Sequence, residues 1–195
     1  MSDVDNKDKN KNMLNDICEI IETVLIWFFI FIILRTYIAD RAIVDGGSML
    51  PTLENDQRVL YSKIFTPEQN DIIIIDNENL GPIVKRVVAT EGQSIDIKDG
   101  KVYVDGEMLD EQIYAEGEKL TAKHFVTSET EIVYKPFVEA EDYPVTVPDG
   151  CVFVLGDNRA VSNDSRSSDV GFVKKSDILG QVFFRYFPFK TTRII

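Results

Sequence analysis

The stretch "VDGGSMLPTLENDQRVLYSK", residues 44–63, sets one serine, Ser48, between two glycines and Met-Leu-Pro. Gly46 and Gly47 permit a positive φ or a close approach of backbone to another group. Pro51 fixes its own φ and removes a donor. A serine on such a turn can be presented as a nucleophile; an ordinary loop serine has the same neighbours. A nucleophilic serine needs a partner that takes its proton. The chain has a single histidine, His124, in the polar stretch "KLTAKHFVTSE". No turn or glycine architecture surrounds it, so it reads as a surface residue and a Ser-His-Asp triad is unsupported. The other partner is a lysine made neutral by removal from water. Lys85 lies among apolar residues in "GPIVKRVVA". In a strand, Lys85 shares a face with Ile83 and Val87, while Val84, Arg86 and Val88 take the other. One of Lys85 and Arg86 is therefore expected to point inward. The competing reading is an edge strand whose two charges guard against aggregation.

A third stretch, "LGDNRAVSNDSRSSDVGFV" at 155–173, packs Asp, Asn, Ser and Arg densely after an apolar run. An EF-hand calcium loop fails here: from Asp157 the third position is Arg159, and no glycine or closing glutamate follows at the required spacing. A plain solvated loop is one reading. The other is a hydrogen-bonded network, with Asp164 paired to Arg166 and Ser162 free to orient another group.

The elements that must position these residues are of two kinds. Residues 1–16, "MSDVDNKDKNKNMLND", are almost all polar and read as a disordered tail. Residues 17–38 are strongly apolar. The uncharged run Thr23 to Leu34 is twelve residues, about 18 Å of helix, too short for a hydrocarbon core of about 30 Å. Ile17 to Ile38 is 22 residues, about 33 Å, which is long enough. Glu19, Glu22 and Arg35 fall near its ends, where side chains reach the interface. A membrane anchor is the favoured reading. A cleaved signal peptide lacks its small-x-small site in "YIADRA", and a buried core helix is the third possibility. Lys7, Lys9 and Lys11 precede the segment, against Arg35 and Arg41 in or after it; this slight excess favours a cytoplasmic N-terminus.

From residue 39 to 195 the pattern turns to β. "RVLYSKI", "DIIIIDN", "IVKRVVA", "CVFVLGD" and "GQVFFRYFPF" are β-branched or aromatic runs. Asp-Gly between alternating runs makes "IDIKDGKVYV" a hairpin. Residues 114–131 are polar and read as a loop or short helix. The soluble part is expected to be one mostly-β domain, large enough for its own core.

The whole chain has 195 residues and a formal net charge of -12. That sign repels nucleic acid, so no nucleic-acid partner is expected. There are two cysteines and no Cys-x-x-Cys or His-x-x-x-His spacing, so no metal site is expected. No cofactor is expected either.

Taken together and in this order, the stretches resemble one family, the type I signal peptidases, over nearly the whole chain. "GGSMLPTL" is similar to the family's serine box, S-M-x-P-T-L, and "VKRVVATEG" to its lysine box. "GDNRAVSNDSR" matches its last box, G-D-N-R-x-x-S-x-D-S-R, at every fixed position. The resemblance implies a coiled β-sheet catalytic fold of the signal-peptidase and SOS-repressor-protease kind, behind one N-terminal transmembrane helix. Residues 93–150 would be a variable insert. Ser48 would be the nucleophile and Lys85 the general base. Ser162 would hydrogen-bond the lysine and aim it at Ser48, and Asp164 and Arg166 would brace the loop. The oxyanion would be held by the backbone N–H of Ser48. Some members add a hydroxyl two positions before the nucleophile; here that position is Gly46.

The implied substrates are exported preproteins, cut after small-x-small on the extracytoplasmic side of the cell membrane. They would bind as a strand between Asp45, Gly46 and Gly47 on one side and Pro82, Ile83 and Val84 on the other. The lipid bilayer would be the second partner. Self-cleaving repressors share the chemistry but need a DNA-binding region and a cytosolic setting. An anchored β-domain that binds an extracytoplasmic partner without catalysis is the non-enzymatic alternative.

Overall fold

The computed structural model describes residues 2–98, 101–109 and 142–195. His124 and the polar stretch 114–131 lie outside the described residues. The chain divides into two compact units, Met1–Ala39 and Asp40–Ile195.

The first unit is one long helix, α1, Ser2–Ile33, continued by a π-helical turn, Leu34–Ile38. It runs through nearly all of the stretch that composition assigns to a disordered tail. Residues 2–38 contain no glycine or proline, and extending an existing helix costs far less than nucleating one. The segment Asn15–Ile38 is long and apolar enough to cross a membrane, and none of its described side chains is buried. An apolar helix with no covered side suits an apolar solvent, the condition a bilayer provides.

The second unit is built on antiparallel strands. Twelve are described: β1 Ala39–Ile43, β2 Arg58–Ser62, β3 Ile72–Asn77, β4 Gly81–Thr90, β5 Ser94–Lys98, β6 Lys101–Val104, β7 Glu107–Met108, β8 Val145–Thr146, β9 Cys151–Leu155, β10 Val173–Lys174, β11 Ile178–Phe187 and β12 Arg193–Ile194. The main sheet runs β1-β2-β11-β3-β4-β9-β10, with β12 added on β11. A smaller sheet runs β7-β6-β5-β8. Its β5 and β6 pair as the expected hairpin, Ile95 opposite Val104 and Lys98 opposite Lys101; the turn between them lies outside the described residues.

The four isoleucines of β3 explain how the main sheet is covered. Side chains alternate along a strand. Ile72 and Ile74 join a core with Val44, Met49, Leu53, Val59 and Val182. Ile73 and Ile75 join another with Val87, Val152, Val154 and Val173. A strand buried on both faces reads as a continuous apolar run. A further core, including Val88, Phe153 and Leu155, reaches into the smaller sheet through Ile95, Val102 and Val104.

The edge-strand reading of "GPIVKRVVA" is overturned. β4 lies between β3 and β9, with Lys85 opposite Ile73 and Arg86 opposite both Ile72 and Leu155. Both charged residues are buried, at 3% and 8% exposure. Nothing local announces this, because β9 arrives from far along the chain. Arg86 makes a bidentate pair with Asp157, Nε to Oδ1 at 2.8 Å and Nη2 to Oδ2 at 2.7 Å, and its Nη1 donates to Asn70 O. Breaking a buried pair by deleting one partner costs about 3–5 kcal/mol, whereas replacing both by packed apolar groups is often neutral. Asp157→Ala should therefore lower the unfolding free energy by about that amount in a urea titration. Arg86→Met combined with Asp157→Leu should recover most of it.

Candidate active site

The serine turn is a loop closed at its neck. Val44 N donates to Gln57 O at 2.8 Å, and Asp56 N donates to Val44 O at 2.9 Å. Met49 and Leu53 are essentially fully buried and plug the loop into the core under β3. Gly46 holds φ at 83°, a conformation other residues rarely adopt, and its N–H donates to Asn55 Oδ1 at 2.8 Å. From β11, the buried Arg185 donates to Thr52 O at 3.1 Å and Gln57 Oε1 at 3.0 Å. The half-buried Ser48 thus rides on a turn fixed from below, with its neighbour Met49 as the peg.

Lys85 reaches that turn from the middle of β4. Its Nζ donates to Ser48 Oγ at 2.9 Å and to Val84 O at 3.1 Å. Burial pushes the ammonium below the ordinary lysine range; Asp164 pulls it back up and Arg166 pushes it further down. The side chain is thus biased toward the neutral amine, the form that can accept a proton.

The dense polar loop closes over both. Leu155 ends β9, and Gly156 follows with no room for a side chain: a Cβ there would lie 2.5 Å from Ser48 O and 2.6 Å from Ser162 Cβ. Asp164 is fully buried. Its carboxylate accepts from Arg166 Nε at 2.7 Å, Arg166 Nη2 at 2.9 Å and Gly156 N at 3.0 Å. Burial alone would raise its pKa. The Arg166 charge and these bonds, with the nearby Ser162 hydroxyl, outweigh burial and hold it below the ordinary carboxylate range. Arg166 Nη2 also donates to Arg159 O at 2.8 Å. Ser165 ties the loop back to β9, its N–H to Val154 O and its Oγ accepting from Val154 N.

Ser48, Lys85, Ser162, Asp164 and Arg166 therefore come together in one place. One contact differs from the expectation. Ser162 Oγ is buried beside Asp164 and, among the described residues, makes no hydrogen bond to Lys85, whose Nζ turns to Ser48 Oγ and Val84 O instead. Of the strand-binding candidates, Asp45, Gly46 and Pro82 are exposed, and Gly47, Ile83 and Val84 are half-buried. β9 begins its pairing with β4 at Arg86, whereas Pro82, Ile83 and Val84 pair only with β3. Their other edge carries no strand among the described residues. Sequence reading missed Asn158, whose side chain and backbone both bind the serine turn, and Arg185, which grips its base. The signals for Asn158 are its place in a polar run directly after a strand and its match to a fixed position of the resembled box; Arg185 has none.

The family model described as "Signal peptidase, peptidase S26" matches residues 17–187. A signal peptidase I of Bacillus licheniformis is 30% identical over 96% of this chain and 97% of its own length. One from Bacillus caldolyticus is 35% identical over 80% of this chain and 84% of its own. A solved signal peptidase I from Enterococcus faecalis V583 is 32% identical and overlays 60% of this chain and 97% of its own, with a TM-score of 0.44. With a match that runs from the apolar helix through β11, the chain belongs to the signal peptidase family, peptidase S26.

Proposed function

We propose that this protein is a membrane-anchored serine endopeptidase that removes N-terminal signal peptides from exported preproteins, with Ser48 as nucleophile and Lys85 as general base. The observation that carries the reading is the 2.9 Å contact between Lys85 Nζ and Ser48 Oγ, made by a lysine whose burial favours the neutral amine. Ser48 Oγ attacks the scissile carbonyl as its proton passes to Lys85. The tetrahedral oxyanion takes a hydrogen bond from Ser48 N–H. The Lys85 ammonium then protonates the leaving amine, and in the second half it activates the water that hydrolyses the ester. Asp164 and Arg166 hold the loop that keeps Lys85 dry.

The open edge of Pro82–Val84 supports substrate binding as an added strand, facing Asp45–Gly47. Specificity for small side chains one and three residues before the cut follows from the family. The apolar helix holds the enzyme at the bilayer, with the N-terminus cytoplasmic and the catalytic unit outside. Residues 39–47 span at most about 30 Å, so the nucleophile works close to the surface from which its substrates emerge.

Three outcomes test this. Arginine does not deprotonate in proteins, so Lys85→Arg should lose kcat/KM by about 10³-fold, within the 10²–10⁴ that a general base supplies. Wild-type kcat/KM should rise with pH as Lys85 loses its proton, on a limb below the ordinary lysine pKa. An active Lys85→Arg enzyme would remove Lys85 from the mechanism.

The second outcome concerns stability. Between the lowered folded pKa of Lys85 and its ordinary 10.5, the unfolded chain binds more protons, so stability rises with pH across that window. Below it the folded protein carries the full cost of a buried ammonium. Lys85→Met should be inactive yet melt above the wild type at neutral pH, with the gap closing as pH nears 10.5.

The third concerns the anchor. A chain starting at Ile38 should cleave short peptides like the full-length enzyme. On a bilayer-embedded precursor it should be slower by about 10²-fold, because the shared surface raises effective concentration. Equal rates on the embedded precursor would exclude an anchoring role.

A further inference from the structure

The serine turn has an attachment that neither its own sequence nor the Ser48–Lys85 contact requires. Asn158 binds it twice. Its backbone N–H donates to Ser48 O at 3.0 Å, and its side-chain Nδ2 donates to Gly47 O at 3.0 Å across 111 residues of sequence. The orientation of the amide follows from chemistry: a carbonyl oxygen only accepts, so the Nδ2 end must face Gly47. Gly47 O also accepts from Leu50 N at 3.3 Å, a bond within the turn itself.

These two carbonyls flank the Ser48 N–H. A trans peptide is planar, with its C=O and N–H pointing in opposite directions. The Gly47 carbonyl and the Ser48 N–H belong to the same peptide plane. Fixing Gly47 O toward Asn158 therefore points Ser48 N–H the opposite way. Among the described residues nothing accepts from that N–H, so it is held available. Gly47 has no Cβ to brace the plane, and Gly46 before it offers no hydroxyl as a second donor.

We infer that Asn158 is a positioning residue for the oxyanion donor: its side-chain amide grips Gly47 O and so aims the Ser48 N–H at the oxygen that becomes negative in the transition state. This rests on Ser48 being the nucleophile. Removing an oxyanion donor outright costs about 10²–10³ in kcat. Loosening the plane that carries it, with the Leu50 bond still in place, should cost about ten- to a hundredfold, a part of that.

The test uses the full chain in detergent and three ligands of one cleavage-site sequence ending in alanine: a cleavable peptide, a peptide aldehyde and the matching peptide alcohol. On the aldehyde, Ser48 Oγ bonds to the carbonyl carbon, the C=O π bond breaks, its oxygen takes the negative charge, and the hydroxyl proton passes to Lys85. The alcohol binds without forming that oxyanion. For Asn158→Ala we expect kcat to fall about ten- to a hundredfold with KM nearly unchanged. Aldehyde affinity should fall by a similar factor while alcohol affinity stays within about twofold, because only interactions made in the transition state distinguish the two. Asn158→Asp keeps the backbone bond to Ser48 O and the side-chain shape but puts a carboxylate oxygen, an acceptor, against Gly47 O; it should lose at least as much.

Wild-type kcat in both variants, or equal loss of aldehyde and alcohol affinity, would overturn the inference. So would failure of both variants to keep native near-UV dichroism, which would make Asn158 a folding residue only. Ser48→Ala separates the two levels. If it is inactive while the Asn158 variants are normal, only this inference fails; if it retains activity, the nucleophile assignment fails first.

Discussion

A lysine taken out of water must either find compensation for its charge or give the proton up, and the catalytic unit is arranged around that constraint. Lys85 sits in the middle of the main sheet with β3 beside it and the polar loop over it. Its nearest polar atoms are a hydroxyl and a carbonyl, Ser48 Oγ and Val84 O. Neither is a carboxylate, so the ammonium gains no direct ion pair. The carboxylates that come near are each already held by an arginine, Asp164 by Arg166 and Asp157 by Arg86. Pairing them elsewhere keeps the loop rigid without restoring the lysine's charge. That division separates charges spent in ion pairs from a lysine left without one.

The same division explains why the two adjacent basic residues of β4 have opposite fates. They point to opposite faces. Arg86 is always charged, so it can be buried only with a full bidentate partner. Lys85 can become neutral, so it can be buried without one. An arginine at position 85 or a lysine at position 86 would meet the wrong environment on its face. The turn that carries Ser48 is treated in a third way. No carboxylate touches it: apolar pegs lie beneath it, amide groups around it, Arg185 at its base and Lys85 at Ser48 Oγ.

The residues that gather at the candidate site were legible in the sequence because they are written in residue types at short spacing: Ser48 after two glycines, Lys85 among valines and isoleucines, and the fixed positions of the loop from Gly156 to Arg166. The β character and the hairpin of β5 and β6 were equally plain, since alternation and Asp-Gly are local signals. What failed was non-local. β4 looked like an edge because its second neighbour, β9, lies some sixty residues on. The aromatic run of β11 gave no sign that it would separate β2 from β3, or that Arg185 within it would turn inward to Thr52 and Gln57. Asn158 was visible as a fixed position of the loop but not as a contact of the serine turn, because that contact depends on where Gly47 O ends up. The reach of α1 into residues 2–16 has another origin. Composition describes whether a segment folds alone, not whether it extends a helix already formed.

The insertion of β11 between β2 and β3 has a consequence for the order in which the protein can become active. A nascent chain emerges N-terminus first, and by Thr90 it already carries both Ser48 and Lys85. It does not yet carry a strand to join β2 to β3, nor the loop that closes over the lysine. Asn158 is 111 residues beyond the carbonyl it binds, and Arg185 is 133 residues beyond Thr52. Contacts of such separation form late, because the loop-closure entropy comes before the reward. Ser48 and Lys85 are thus synthesised early, while the contacts that fix their surroundings wait until the chain has been made through β11.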